Sequence, residues 1–257
     1  KEGIDVLCDR YPYIAAATDL DVVLPDWTYE GGHEQEIQRL KDRDTRRLIA
    51  DEVMRRYPDE KFWESVVISN VHSVNNKCME GKSIAQIAGE LKKSSTDMVF
   101  DILIEEQCRV WILLFSMCDE NLEQILRWDF VMIGSDSSLR KTEGILSEGK
   151  PHPRSYGTFS RVLGRYCRDK KLFPLEKAIY KMTGLPAQRI KLDRRGILKE
   201  GYFADITIFD PNKITDCATY EEPHQYSKGI EYVIVNGKVT VENGKHTGVT
   251  NGTIIKR

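Results

Sequence analysis

The chain has 257 residues, 40% hydrophobic and 30% charged, enough for one large buried core or two small ones. A formal net charge of -2 gives no pull toward nucleic acid or a membrane surface, and no apolar run reaches the roughly eighteen residues of a membrane span. The cysteines (Cys8, Cys78, Cys108, Cys118, Cys167 and Cys217) include no CxxC pair, which favours reduced thiols and a cytoplasmic setting.

The first pattern, residues 4–13 with "IDVLCDRYPY", reads as a strand running into a loop. The start lacks both a Met and a charged-then-apolar signal pattern, so a fragment is expected. From about Asp19 to Tyr57 the chain turns polar, with a helical pattern that sets Ile37, Leu40, Leu48, Ile49 and Val53 on one side. The stretch "GHEQEIQRLKDRDTRR" interleaves acids with bases and reads as a solvated helix face, not a nucleic-acid surface. "WESVVISNV" is β-branched and predicts a strand. "KSIAQIAGEL" and "SSTDMVFDILIEEQ" predict helices capped by Ser83 and by Ser95 or Thr96.

"RVWILLFSM", "DENLEQILRW" and "FVMIG" then read as strand, helix and strand, an alternation that predicts parallel pairing through a right-handed crossover. After a loop with His152 and Arg154 come two helices. One starts near Thr158, and the other has Pro174 at its first position and Gly184 at its stop. Beyond Arg194 only short strands remain: "YFADITIFDP", "EYVIVNGKVTVENGK" and "GTIIKR". Asn236-Gly237 is a hairpin signal between two of them. His33, His72, His152, His224 and His246 form no HxH, HxxxH or HExxH, so no metal site of closely spaced ligands is visible. The strand at Phe130–Ile133 runs into Asp136, which on local letters alone reads equally as a turn or helix-cap residue and as a functional carboxylate.

Five blocks bear on that aspartate. "DRYPYIAAATDL", "MIGSDSS", "KPHPRSYGTFSRVLGRY", "KMTGLPAQRI" and "ATYEEPHQYSKGI" occur in this order, and the tail also holds "GILKEGYFADITIFDP" (196–211) and "YVIVNGKVT" (232–240). Together they resemble the C-terminal half of a D-aminoacylase (an N-acyl-D-amino-acid deacylase) of the metal-dependent amidohydrolases. The resemblance implies an α/β fold: the last part of a (β/α)8 barrel, a helical lid insertion and a small C-terminal β-sandwich portion. The implied division is residues 1–18 for a barrel strand and loop, 19–97 for the lid, 98–194 for the last β/α units and 195–257 for the sandwich portion. The chain departs from the common family pattern at Ser137, at Ser160 and at Ala15, Ala16 and Ala17, where the alanines remove candidate hydrogen bonds to substrate.

The implied activity is hydrolysis of N-acyl-D-amino acids to a carboxylate and a D-amino acid. One or two zinc ions would activate the water, held mainly by histidines and a cysteine in an N-terminal half that this chain lacks and needs to complete the barrel. Asp136 would end the final barrel strand, take a proton from metal-bound water and pass it to the leaving amine. It is also the one metal ligand that the resemblance leaves to this chain. Arg154, in a loop stiffened by Pro151 and Pro153, would grip the substrate carboxylate with two parallel hydrogen bonds. Tyr11 would contact substrate, whereas His152 reads as a loop hydrogen-bonder. The rivals are another amidohydrolase, such as a dipeptidase or cyclic amidase, and a non-catalytic scaffold of the same fold.

Overall fold

The computed structural model describes residues 3–255, and the parts of the expected elements at Lys1, Glu2, Lys256 and Arg257 lie outside the described residues. Of the extended start, only β1 (Cys8–Arg10) pairs regularly. Tyr11-Pro12 follows at once, and a proline has no N–H for a ladder. β2 (Ala16–Asp19) leads into two 3-10 turns, Leu20–Val23 and Asp26–Tyr29. The polar stretch then forms two helices, α1 (His33–Lys41) and α2 (Arg43–Arg56). Asp42 separates them by capping α2 through Thr45 N–H at 2.9 Å. Ile37, Leu40, Ile49 and Val53 are buried as expected, but Leu48 is exposed because the break rotates it off the shared face.

α3 (Lys61–Glu64) precedes β3 (Val66–Asn70), which is followed by a 3-10 segment, Val74–Met79. α4 (Ile84–Leu91) carries the expected cap: Ser83 and Gln86 form a complete capping box. α5 (Ser95–Glu105) is capped one residue earlier than expected, by Ser94 accepting from Asp97 N–H at 3.1 Å. β4 (Trp111–Leu114), α6 (Asp119–Arg127) and β5 (Val131–Ile133) follow.

The expected parallel pairing of the last two strands does not form. β4 is the central strand of an antiparallel sheet ordered β2-β4-β3, and β5 pairs in parallel with β1 instead. An apolar β-branched run suits either sheet type, so only distant partners decide. Leu20, Ile49, Trp63, Ile68, Phe100 and Ile112 belong to one continuous core beneath the antiparallel sheet. The division expected at residue 98 falls inside α5, and this core runs on to Ile112.

α7 (Arg154–Arg161) starts at Arg154 rather than near Thr158, because Pro153 initiates the turn. It continues as a π-helical stretch, Val162–Asp169. A Cβ on Gly157 would stand 2.6 Å from the Tyr13 hydroxyl, and one on Gly164 2.6 Å from the Ile214 carbonyl, so both glycines are needed for close packing. α8 (Leu175–Met182) is capped by Pro174, and α9 (Gly184–Arg189) begins at the glycine expected to stop the preceding helix. The tail sheet runs β6 (Ile206–Phe209), β7 (Ile230–Val235), β8 (Lys238–Glu242) and β9 (Lys245–His246) in antiparallel order. Asn236-Gly237 makes the expected hairpin with both φ angles positive, 46° and 79°. Residues 252–255 form no strand. No helix among the described residues is long and apolar enough to cross a membrane.

Candidate functional site

β5 ends at Ile133, and the chain passes through Gly134 and Ser135 to Asp136. Gly134 lets β1 lie close, since a Cβ there would be 3.3 Å from the Asp9 carboxyl carbon. Asp136 adopts the left-handed conformation at φ 46°, a region that aspartate tolerates better than most residues. This turn projects its carboxylate toward α7, where Asp136 Oδ2 meets Arg154 Nη2 at 3.0 Å. The pair is asymmetric: the Asp136 side chain is 72% exposed and that of Arg154 only 9%. Solvent therefore weakens the ion pair, and the burial of Arg154 has to be explained by its other contacts.

Those contacts are specific. The Arg154 guanidinium lies 4.7 Å from the centre of the Tyr11 ring, whose other close cation is Arg10 at 4.3 Å. Arg154 N–H donates to His152 Nδ1 at 2.9 Å, and His152 Nε2 lies 3.0 Å from the Ala15 carbonyl. The ring therefore carries its proton on Nε2, donates to Ala15 and has no lone pair free for a metal. Burial, with Arg154 and Arg161 nearby, pushes the His152 pKa down to about 3, so it is neutral. Tyr13 and Tyr220 stack edge-on against the same ring. Arg161 spans Pro12 and Asp216 at 2.9 and 2.8 Å, tying the β1–β2 connection to the tail.

Asp136, Arg154 and His152 border one cavity of about 610 Å³, a size suited to a small ligand. Ala17, Ser69, Asn70 and Trp111 line it from the antiparallel sheet. Tyr11 is not among the lining residues and supports Arg154 from behind. The loop before α7 is drawn to β3: Lys150 N–H donates to Ser69 O at 2.6 Å, and Ser69 Oγ donates to Lys150 O at 2.8 Å. Gly149 permits this approach, since a Cβ there would meet Asn70 at 2.8 Å.

Sequence reasoning does not reach Ser69, Asn70, Trp111, Arg140 and Glu148, which also border the cavity. No motif marks them, because their meeting depends on sheet packing. Ser137, a departure from the family pattern, donates to Ser155 at 2.8 Å and so fastens the Asp136 turn to α7. Among the described residues the cavity borders on two carboxylates, Asp136 and Glu148, but His152 is fully engaged and no group of three ligand-type side chains comes together there. The residues of this chain therefore do not by themselves make a metal centre here.

The amidohydrolase family model matches residues 144–241, a stretch that includes Arg154 and the hairpin. Within that class the likeness narrows. A D-aminoacylase of Alcaligenes xylosoxydans xylosoxydans is 40% identical over 179 residues, covering 70% of this chain and 34% of that protein. A solved D-aminoacylase with a binuclear metal centre superposes with a TM-score of 0.70 and 32% identity, covering 96% of this chain and 42% of the other. An N-acyl-D-glutamate deacylase from Bordetella Bronchiseptica, solved with zinc and a phosphonate mimic of the tetrahedral intermediate, gives a TM-score of 0.68 at 28% identity over 93% and 40% of the two chains. The chain is thus similar to the D-aminoacylases and spans about a third to two fifths of the length of these proteins.

Proposed function

We propose that this chain supplies the acid–base and carboxylate-binding groups of a zinc-dependent N-acyl-D-amino-acid deacylase. The reading is carried by one observation: Asp136 and Arg154 meet at 3.0 Å on a single small-molecule cavity. It is supported by the kinship with D-aminoacylases, which hydrolyse this class of linear amide.

In this reading Asp136 accepts a proton from the attacking water and returns it to the leaving amine nitrogen, giving a carboxylate and a D-amino acid. Arg154 binds the substrate carboxylate. The Asp136 carboxylate now occupies that guanidinium, so an incoming substrate carboxylate takes its place and frees Asp136 for proton transfer. Tyr11 and the backbone bond to His152 hold Arg154 in one orientation, as stereochemical discrimination requires. One or two zinc ions, held mainly outside this chain, would supply Lewis-acid chemistry, with Asp136 as the candidate ligand from this site. The reading includes a barrel completed by further chain, a lid built on the antiparallel sheet and helices, and a tail sheet belonging to a β-sandwich. The unpaired cysteines suit a cytoplasmic setting.

The test is Arg154→Lys and Arg154→Ala in the full-length enzyme, assayed on an N-acyl-D-amino acid and its methyl ester. Lysine keeps the charge but loses the planar fork. Both variants should lose about ten- to a hundredfold in kcat/KM on the acid, corresponding to roughly 1.5–3 kcal/mol for a charged hydrogen bond, and little on the ester. Equal loss on acid and ester would make Arg154 a structural residue of α7.

A further inference from the structure

A second group of ligand-type side chains meets far along the antiparallel subdomain, where the Leu20–Val23 turn faces the start of α1. Asp21, His33 and Glu36 each offer one ligand atom within 4.8 Å of the other two. No other cluster of three or more His, Cys, Asp or Glu with such spacing occurs among the described residues.

Local geometry explains the meeting. Gly31 and Gly32 both adopt positive φ, 88° and 86°, and turn the chain from the Asp26–Tyr29 segment into α1. His33 is the first residue of that helix, and Glu36 stands three residues on, hence on the same face. Asp21 sits opposite in its 3-10 turn.

The second observation is the state of Glu36. It is 0% exposed, and neither carboxylate oxygen has an N–H or O–H partner among the described residues. Its one side-chain neighbour of hydrogen-bonding kind is the Cys108 thiol, a weak donor. Arg39, on the same helix, spends its guanidinium on the carbonyls of Thr28 and Glu30 at 2.9 and 2.6 Å. A buried carboxylate with only a thiol for a donor is rare in folded proteins, and a coordinated cation is one way to satisfy it. A second carboxylate beside it, Asp21, makes the arrangement worse for a bare fold and better for a cation.

We infer that Asp21, His33 and Glu36 hold a divalent transition-metal ion, with zinc the best match to one imidazole and two carboxylates. Ligand atoms around tetrahedral zinc at bond lengths of ~2.1 Å stand about 3.4 Å apart, so the observed spread needs roughly an ångström or so of closure. His33 is exposed and can supply it by side-chain rotation. Water completes the coordination. The ion clasps the turn after β2 to α1. β2 also carries Ala17 at the cavity wall, so the clasp steadies that wall. This site does not depend on the hydrolytic reading.

The experiment strips metal from the purified chain, titrates it with Zn²⁺ alone, and reads bound zinc after dialysis together with thermal unfolding. One zinc per chain is expected, with a Tm gain of about 5 °C or more at ~100 times Kd. His33→Ala and Glu36→Gln should each lose the bound equivalent and the gain. Their affinity should fall by more than the ~10–100-fold that loss of an outer hydrogen-bonding partner brings. Glu36→Gln should also raise the metal-free Tm, because a buried charge is removed, which separates lost binding from lost folding. Absence of any zinc-dependent Tm gain in the parent overturns the proposal. So does zinc uptake that both variants retain.

Discussion

The antiparallel subdomain and the β1–β5 region solve the problem of burial differently. In the first, α1, α2, α4 and α5 cover a three-stranded sheet, and Trp63, Phe100, Ile68 and Ile112 are all within 2% of full burial. In the second, only two short parallel strands pair, and parallel sheets are ordinarily covered on both faces. Val6, Trp128 and Phe130 around these strands are 65%, 43% and 45% exposed. A second cavity of about 600 Å³ opens between α7, its π-helical extension and the tail sheet, lined by apolar side chains such as Phe159, Leu163, Met182 and Val233. One region is closed by its own sequence, whereas the other presents apolar surface to solvent. The candidate site lies where the two meet, with its charged groups on the open region and its wall on the closed one.

This contrast makes Phe100→Ala the largest stability effect. Removing a fully buried aromatic should destabilise the closed subdomain by about 3–5 kcal/mol. Hydrogen exchange should speed up across residues 20–112 and stay nearly unchanged around β1 and β5. Equal acceleration everywhere would show a single cooperative unit instead.

His152 joins the two regions, and its ionisation sharpens the comparison. Its pKa falls from an ordinary 6.5 to about 3 in the fold, so the unfolded chain binds the extra proton first as pH drops. The stabilisation is fully present above pH 6.5 and is lost as pH falls through that window toward 3. The slope reaches at most about 1.4 kcal/mol per pH unit. Denaturant unfolding of the parent should steepen with acid between these limits. His152→Gln should remove up to one proton from that dependence, and identical slopes would contradict the buried neutral ring. The smallest effect is Ser83→Ala. Loss of the capping box should destabilise the closed region by about 0.5–2 kcal/mol in chemical denaturation, without changing the cavity.

Local signals are legible in the sequence. Ser83 with Gln86 and Asn236-Gly237 each rest on contacts within a few residues. The partner of β4 is not legible, because "WILL" satisfies parallel and antiparallel neighbours alike and the choice is made by β2, almost a hundred residues earlier. The start of α7 at Arg154 is hidden for another reason: Pro151 and Pro153 signal a rigid loop and a helix entrance equally well. At the site, Asp136 and Arg154 stand out through the family blocks, and they do approach each other. The cavity wall of Ser69, Asn70 and Trp111 is invisible, since ordinary polar and aromatic residues carry no motif. Asp21, His33 and Glu36 escape notice because one ligand is separated from the others by a turn and two glycines.

In the proposed function Asp136 moves the proton while Arg154 orients the substrate. Its most direct test is Asp136→Asn in the full-length enzyme with an N-acyl-D-amino acid, measuring kcat and, separately, substrate binding. Asparagine is nearly isosteric but cannot accept the proton. kcat should fall by about 10²–10⁴ with binding largely retained. A variant that keeps more than about a tenth of the parent kcat would contradict it, because a positioned base contributes far more than that.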